Sequence, residues 1–360
     1  MGPTLRTGCL RFLAKGGALE ANTIHTLSGF TGLGMRIQIE GNLMKKVLFA
    51  TTALVATAGV AAADVTFGGY GRFGVQYSSA AGPDGIAGTF GDDGTGASSV
   101  DVVSRFRLQI DATAESDAGV TFGVRVRIEQ DADENGDAAF AGTGINAPRF
   151  FARSGGLEVG VGNIFGAIEF MPGMYPIDLG LTGLQYEYTP YQFGADFYDS
   201  DGAGAAATNN GVEVMYSFGD FNVHVSASDG VRDRVAAHVA YRWNGWTFAL
   251  GAQDSNSASD TEFAASVGGS LGIADVSLAY ADNGTNGDQI TLAARFDVGA
   301  ATNVEMYVSD ADTIFGTPTA NTGYGIDFNH DLGGGTSLRG GVAKLFLGHT
   351  VADLGIRFNF

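Results

Sequence analysis

Residues 105–129 read RFRLQIDATAESDAGVTFGVRVRIE, and this stretch decides the fold. Polar and apolar side chains alternate on both sides of an SDAG turn at 116–119. A period of two places all apolar side chains of a strand on one face and the polar ones on the other. The stretch therefore predicts an antiparallel hairpin with one apolar and one polar face. The apolar positions are Phe106, Leu108, Ile110, Ala112, Val120, Phe122, Val124, Val126 and Ile128.

The same alternation continues along the chain, interrupted by connections of two kinds. Short connections rich in Gly and Asn alternate with longer ones rich in Gly, Asp, Ser and Thr, and a direct count gives an even number of segments, up to eighteen. Short turns at one end and long loops at the other are typical of outer-membrane barrels. The sequence predicts a transmembrane antiparallel β-barrel. The short connections include 154–156, 219–220, 244–245, 272–273, 299–300 and 333–335, and the long ones 79–99, 131–147, 200–210, 255–260, 283–288 and 312–322.

Arginine placement separates a barrel in lipid from a water-soluble β-protein. Every arginine of the predicted strands falls on the polar side of the alternation. An arginine on the lipid face near the bilayer midplane would cost about 2–4 kcal/mol. The polar face is therefore predicted to line the interior. These arginines are Arg72, Arg105, Arg107, Arg125, Arg127, Arg149, Arg153, Arg242, Arg295, Arg339 and Arg357.

Trp243 and Trp246 flank the 244–245 turn on the apolar side, as an interfacial aromatic girdle requires.

The N-terminal part of the chain contains a targeting signal. Met44–Ala63 has a basic start, an apolar middle and a closing Ala-Ala-Ala, which together indicate a secretory signal peptide. We therefore expect residues 1–43 to be an upstream extension from a mis-assigned start, 44–63 to be removed, and 64–360 to form a single barrel domain. The only cysteine, Cys9, precedes this domain, which excludes disulfides and thiolate metal sites within it.

Composition limits the partners. The chain has 56 Gly in 360 residues, 16% charged residues and a net charge of −19. An acidic protein of this kind does not attract nucleic acid, so no nucleic-acid partner is expected.

One segment, 163–182, departs from the strand pattern. It reads NIFGAIEFMPGMYPIDLGLT, too apolar for a water-exposed loop, while Pro172 and Pro176 exclude a central strand. We expect it to fold into the lumen and to project Glu169 and Asp178 there. The chain then ends on Phe360 within a strand pattern, which fits closure of the last strand against the first.

Three parts of the sequence resemble the Gram-negative general porins, most closely those of photosynthetic and related marine alphaproteobacteria. They are the signal peptide with the following DVTFGGYGRFGVQYSS, the strand GGLEVGVGN at 155–163 that leads into the inward segment, and the ending VADLGIRFNF. The resemblance implies a homotrimer of 16-stranded barrels in the outer membrane, with outer-membrane lipid and lipopolysaccharide as surroundings. Each barrel would hold a pore for small hydrophilic solutes, narrowed by a long, inward-folded third loop.

A basic arc facing loop acids across the narrowest point would produce a transverse field. The alternative is that the arginines form structural ion pairs with Asp111, Glu129 and Glu158. The expected constriction consists of Arg72, Arg105, Arg107, Arg125, Arg127, Glu158, Glu169 and Asp178.

Other functions find less support. A barrel enzyme would need a cluster of Asp, His or Ser at the rim or on the lipid face. His224 and His238 instead lie on the lumen side and are interpreted as lining residues. An adhesin or structural anchor would need a plugged lumen or an added periplasmic domain. We expect no enzyme activity and no cofactor, with calcium in the acidic loops, for example at 90–96, as the less favoured alternative to a solvated loop.

Overall fold

The structure is a computed structural model that describes residues 63–79, 99–132, 144–200, 209–230, 233–256, 258, 260–314, 317–318 and 322–360. The predicted upstream extension, nearly all of the predicted signal peptide and the acidic stretch 90–96 lie outside the described residues. No helix in the described ranges is long and apolar enough to cross a bilayer.

Sixteen antiparallel strands close into one barrel, in which β1 pairs with both β2 and β18. The direct count of up to eighteen was too high for the barrel, which has sixteen strands, and the short strands β14 and β15 pair only with each other, within the predicted long connection 312–322. The strands are β1 Asp64–Ser78, β2 Ser99–Glu115, β3 Thr121–Ala132, β4 Arg149–Ser154, β5 Leu157–Asn163, β6 Asn209–Phe218, β7 Phe221–Gly230, β8 Arg234–Trp243, β9 Trp246–Ser255, β10 Glu262–Leu271, β11 Ala274–Asp282, β12 Asp288–Gly299, β13 Thr302–Ala311, β14 Thr313–Ile314, β15 Thr317–Pro318, β16 Gly323–Gly333, β17 Thr336–Lys344 and β18 Thr350–Asn359.

The β2–β3 hairpin shows how the alternation becomes a wall. Arg107 lies opposite Glu129 and Asp111 opposite Arg125, so charges of opposite sign pair across the inner face. On the outer face of the same strands, Phe106 remains exposed. Exposed apolar side chains cover the outward positions of the other strands as well, which is the surface that lipid stabilises.

The first and last strands seal the barrel. The backbone N–H of Gly69 donates to the carbonyl of Phe360 at 3.0 Å, and the N–H of Phe360 donates back to Gly69 at 3.1 Å. On the outer face, the rings of Phe106 and Phe360 stack with centroids 5.9 Å apart. The predicted closure on the terminal strand is confirmed, and no edge of the barrel is left at this seam.

The turn between β8 and β9 carries the two tryptophans. Trp243 pairs with Trp246 in the strand register, and Asn244 and Gly245 both adopt positive φ angles of 49° and 83°. Two successive positive φ angles define the hairpin turn whose twist matches that of the strands. Both indoles thus lie at one end of the barrel on its outward face, as an aromatic girdle requires.

Candidate functional site

The third external loop lies along the inside of the barrel wall. Its described part runs from residue 164 to residue 200, considerably further than the predicted inward segment, which ended at 182. Among the described residues, this inserted loop supplies most of the fully buried apolar side chains, since the outward apolar residues face lipid. Its buried members include Ile164, Ile168, Met174, Leu179 and Leu184, each with 0–1% exposure.

Glycines on the inner wall make room for these side chains. A Cβ at Gly251 would come within 2.7 Å of the Met171 sulfur, and one at Gly211 within 2.6 Å of Ile164. Gly325 and Gly341 similarly face Leu179 and Leu184. The inserted loop therefore packs against wall positions that have no side chain.

Carboxylates of the wall accept hydrogen bonds from the backbone N–H groups of the inserted loop. On β6, one Glu213 oxygen accepts from Phe165 at 3.0 Å and from Gly166 at 3.2 Å. On β18, one Asp353 oxygen accepts from Leu181 at 2.9 Å, and from the N–H and hydroxyl of Thr182 at 2.7 and 2.8 Å. A buried N–H without an acceptor costs about 1–3 kcal/mol, so these contacts decide where the loop can lie.

Two further wall carboxylates act in the same way between these points. Glu305 on β13 accepts from the N–H of Asp178 at 2.9 Å, and Asp327 on β16 accepts from Gly180 at 2.6 Å. Four strands around the barrel therefore each contribute one acidic acceptor. The sequence analysis did not identify these residues, although each is an acid on the inward register of its strand.

Arg149 links the start of the inserted loop to the wall. Its guanidinium donates to Glu213 at 2.6 Å and to Glu158 at 2.8 Å, and lies 3.9 Å from the centre of the Phe165 ring. His224 joins the same carboxylate, with Nε2 2.9 Å from Glu213. Glu158, an expected constriction residue, is thus placed in this ion-pair network, where it also lies 3.4 Å from Arg153.

His238 contacts the loop from the next strand. Its Nδ1 donates to the Ala167 carbonyl at 2.5 Å, and the histidine is buried beneath the loop. With His224 on Glu213, both histidines lie on the lumen side and hold the loop.

The expected basic arc divides into paired and unpaired members. Arg105 pairs with Asp131, Arg107 with Glu129, and Arg125 donates to both oxygens of Asp111 at 2.7 and 3.1 Å. For these three arginines the geometry is that of the ion-pair alternative. Their charges are locally compensated.

Arg72 and Arg127 make no ion pair within the described part of the chain. Arg72 donates to the Leu181 carbonyl at 2.9 Å, at the middle of the inserted loop. Arg127 donates to the Ser200 hydroxyl at 2.9 Å and lies 4.6 Å from the centre of the Tyr198 ring. These two cations remain uncompensated on the wall formed by β1–β3.

Asp178 and Glu169, the two acids predicted on the loop, lie in different surroundings. Asp178 is 60% exposed and accepts from Arg339 at 2.5 Å and from Arg357 at 2.9 Å. Glu169 instead accepts from the hydroxyls of Tyr175, at 2.9 Å, and of Tyr191. Burial raises the pKa of the Glu169 carboxyl, against the two tyrosine hydrogen bonds, which favour its charged form.

The returning half of the inserted loop is fixed by a second set of contacts. The Glu187 carboxylate accepts from the Phe346 N–H at 2.8 and 3.1 Å, and the Gln289 side chain donates to the carbonyls of Glu187 and Thr189 at 2.9 Å each. Asp196 pairs with Arg234 at 2.8 Å. The sequence analysis missed this half, because it ended the inward segment at 182 and assigned no role to residues 183–199.

The described residues contain no cluster of three or more His, Cys, Asp or Glu able to hold a metal ion. The calcium-like stretch at 90–96 is outside the described residues, and the expectation that the protein has no cofactor stays a prediction.

A closed 16-stranded barrel with an apolar outer face, a charged inner face and a loop folded into its lumen is the architecture of an outer-membrane diffusion channel. The sequence model of the Gram-negative porin family matches residues 50–346, and the chain belongs to this family. It is an outer-membrane channel for passive diffusion and not an enzyme.

Relatives and solved structures agree with this assignment. The chain is 33% identical over 311 residues to a porin of Fuscovulum blasticum, covering 82% of this chain and all of the relative. It is 28% identical to a porin of Rhodobacter capsulatus, covering 71% of this chain and 93% of the relative. Among solved structures, a triple mutant of Rhodopseudomonas blastica porin matches with a TM-score of 0.69 at 30% identity, covering 82% of this chain and all of that one. The expected 16-stranded barrel and its outer-membrane location are confirmed.

Replacing Asp353 by Ala should release the middle of the inserted loop, because three loop donors lose their acceptor. We expect a larger and noisier open-channel current in planar bilayers and a lower melting temperature. Asp353→Asn is the matched control, since it keeps one acceptor oxygen and should change both less. Current and melting temperature identical to those of the unmodified protein in the alanine variant would contradict the anchoring role.

Glu187 should make stability depend on pH. Burial raises the pKa of its carboxyl from an ordinary value of 4.5 to about 8, and the hydrogen bond from the Phe346 N–H opposes this shift only in part. Because the folded state holds the proton more tightly, the free energy of unfolding should fall as pH rises from about 4.5 to 8, by on the order of a few kcal/mol.

The control for this dependence is Glu187→Gln, whose amide oxygen still accepts from Phe346 but does not titrate. Its unfolding free energy, measured by denaturant titration across the same pH range, should lack this component. Equal pH dependence in both proteins would exclude Glu187 as its source.

Proposed function

We propose that small hydrophilic solutes and ions pass a constriction lined by the Asp178 carboxylate of the inserted loop and by uncompensated arginines of the wall. The observation that carries this proposal is the position of Asp178, which is 60% exposed although two arginines bind it. A carboxylate fixed by Arg339 and Arg357 keeps a defined position beside the aqueous path. Its field acts on passing ions without any chemical step.

Positive charge on the wall formed by β1–β3 comes from Arg72 and Arg127. Both lie on strands β1 and β3, have no acidic partner among the described residues, and are half-buried in the wall. Of the expected arc, Arg105, Arg107 and Arg125 are compensated and contribute less to the field. We therefore assign ion selectivity to Arg72, Arg127 and Asp178.

Two charge-neutralising variants should shift ion selectivity in opposite directions. Asp178→Asn leaves Arg339 and Arg357 without their carboxylate and should lower the permeability of K⁺ relative to Cl⁻. Arg127→Gln should raise it. Reversal potentials in a KCl gradient across planar bilayers measure both shifts, and an unchanged potential in both variants would contradict the assignment.

The short strands β4 and β5 support a homotrimer. They contain 6 and 7 residues, whereas a tilted strand needs about 9–11 to span the bilayer. The wall at β4 and β5 is therefore too short to span the apolar layer of the bilayer by itself. Its outward Phe150 and Val161 are nevertheless apolar and exposed. A neighbouring protomer would cover it.

Val161→Arg should therefore dissociate the trimer, since it buries a charge between protomers. Leu292→Arg on β12, an outward position away from β4 and β5, is the control and should leave the trimer intact. Light scattering of the detergent-solubilised protein gives the mass of each. A monomeric unmodified protein, or a Val161→Arg variant that stays trimeric, would contradict this interface.

Lipid and lipopolysaccharide are proposed as the remaining surroundings. Exposed apolar side chains on the outer face support contact with lipid chains. Lys344 ends β17 on the outward register beside the external loop, where an ammonium group suits lipid phosphates.

We further propose that export removes residues 44–63 and that translation starts at Met44.

A further inference from the structure

The two halves of the inserted loop line an open cavity of about 490 Å³. Glu169 and Tyr175 of the outgoing half line one side, and Tyr186, Tyr191 and Phe197 of the returning half line the other. Gln289 of the wall and Phe346 of the last external loop complete it. A volume of this size is within the range of small-molecule sites.

Tyrosine rings form the walls in different orientations. Tyr175 stands nearly perpendicular to Tyr186 and Tyr191, at interplanar angles of 83° and 85° and centroid distances of 6.4 and 6.3 Å. Tyr175 and Tyr186 are both more than 40% exposed, so their rings are open to a solute. Aromatic faces carry partial negative charge and attract cations.

The charge of the cavity has one sign. Among the described residues, its lining contains two carboxylates, Glu169 and Glu187, and no Lys, Arg or His. The Glu187 carboxylate already accepts a hydrogen bond from the Phe346 N–H. Glu169 makes no ion pair within the described part of the chain and is held only by the hydroxyls of Tyr175 and Tyr191. A carboxylate in an aromatic enclosure, without a protein cation, is an arrangement that an organic cation would complete.

We propose that this cavity binds alkylammonium solutes, with the cationic head between the rings of Tyr175, Tyr186 and Tyr191 and opposite the Glu169 carboxylate. The inference extends the proposed function, because it adds a solute class that the channel holds during passage. Neutral polyols could stack on the same rings, but they would leave the carboxylate without a counter-charge. The charge of the cavity therefore favours the cation.

Choline and its neutral isostere 3,3-dimethylbutan-1-ol separate charge from shape. Titration calorimetry of the purified, detergent-solubilised full protein should show choline binding at least tenfold more tightly than the isostere. Glu169→Gln, which still accepts the tyrosine hydrogen bonds, should weaken choline binding at least tenfold. Tyr186→Leu should weaken it several-fold, whereas Tyr186→Phe should bind like the unmodified protein.

Conductance in KCl without choline is measured on the same preparations. Conducting protein that binds choline no better than the isostere overturns the inference and leaves the channel function intact. Choline affinity unchanged in both Glu169→Gln and Tyr186→Leu overturns it as well. Absence of KCl conductance in the unmodified protein would instead contradict the channel function itself. The calorimetric measurement of choline binding does not depend on conductance.

Discussion

Backbone N–H groups of the inserted loop enter the barrel, where each needs an acceptor, and the wall supplies carboxylates for them. Glu213, Glu305, Asp327 and Asp353 accept from the loop at successive positions around the barrel. A regular strand pairs its own backbone groups, but an irregular segment inside a barrel cannot. Without these acceptors the buried loop would carry several unpaired donors, and the lumen would remain wide.

The glycine content of the chain follows partly from the same constraint. Inner-wall glycines such as Gly211 and Gly251 face loop side chains that a Cβ would displace. The barrel thus has its apolar core between loop and wall, while its outer face is left to lipid. Part of the acidic excess is structural as well. The wall carboxylates that accept hydrogen bonds from the loop hold it in place and are not available to solutes.

Charge in the pore is more local than a net charge of −19 suggests. Three arginines of the β2–β3 wall are compensated by neighbouring acids, whereas Arg72 and Arg127 are not. On the loop, Asp178 is 60% exposed and bound by Arg339, and Glu169 lies in an aromatic cavity whose described lining contains no cation. Our proposal therefore assigns selectivity to a few side chains whose partners are known.

Periodicity was sufficient to predict the barrel, because the inward or outward position of each side chain follows from its place in a strand. Pro172, Pro176 and the apolar residues around them also revealed that a segment folds inward. The pairing of Asp178 with Arg339 and Arg357 could not be predicted, since 161 and 179 residues separate these partners. The direct strand count exceeded sixteen, and only the closed pairing of the strands fixes the number in the barrel.

The placement of the inserted loop against the wall is tested most directly by a reversible tether. The Ala167 N–H donates to the Ser226 hydroxyl at 3.0 Å, and the only cysteine of the sequence, Cys9, lies outside residues 64–360. The double variant Ala167→Cys, Ser226→Cys should form a disulfide on oxidation, and its single-channel conductance should be the same before and after reduction. Absence of the cross-link, or a larger conductance after reduction, would contradict a loop that the wall holds in the open channel.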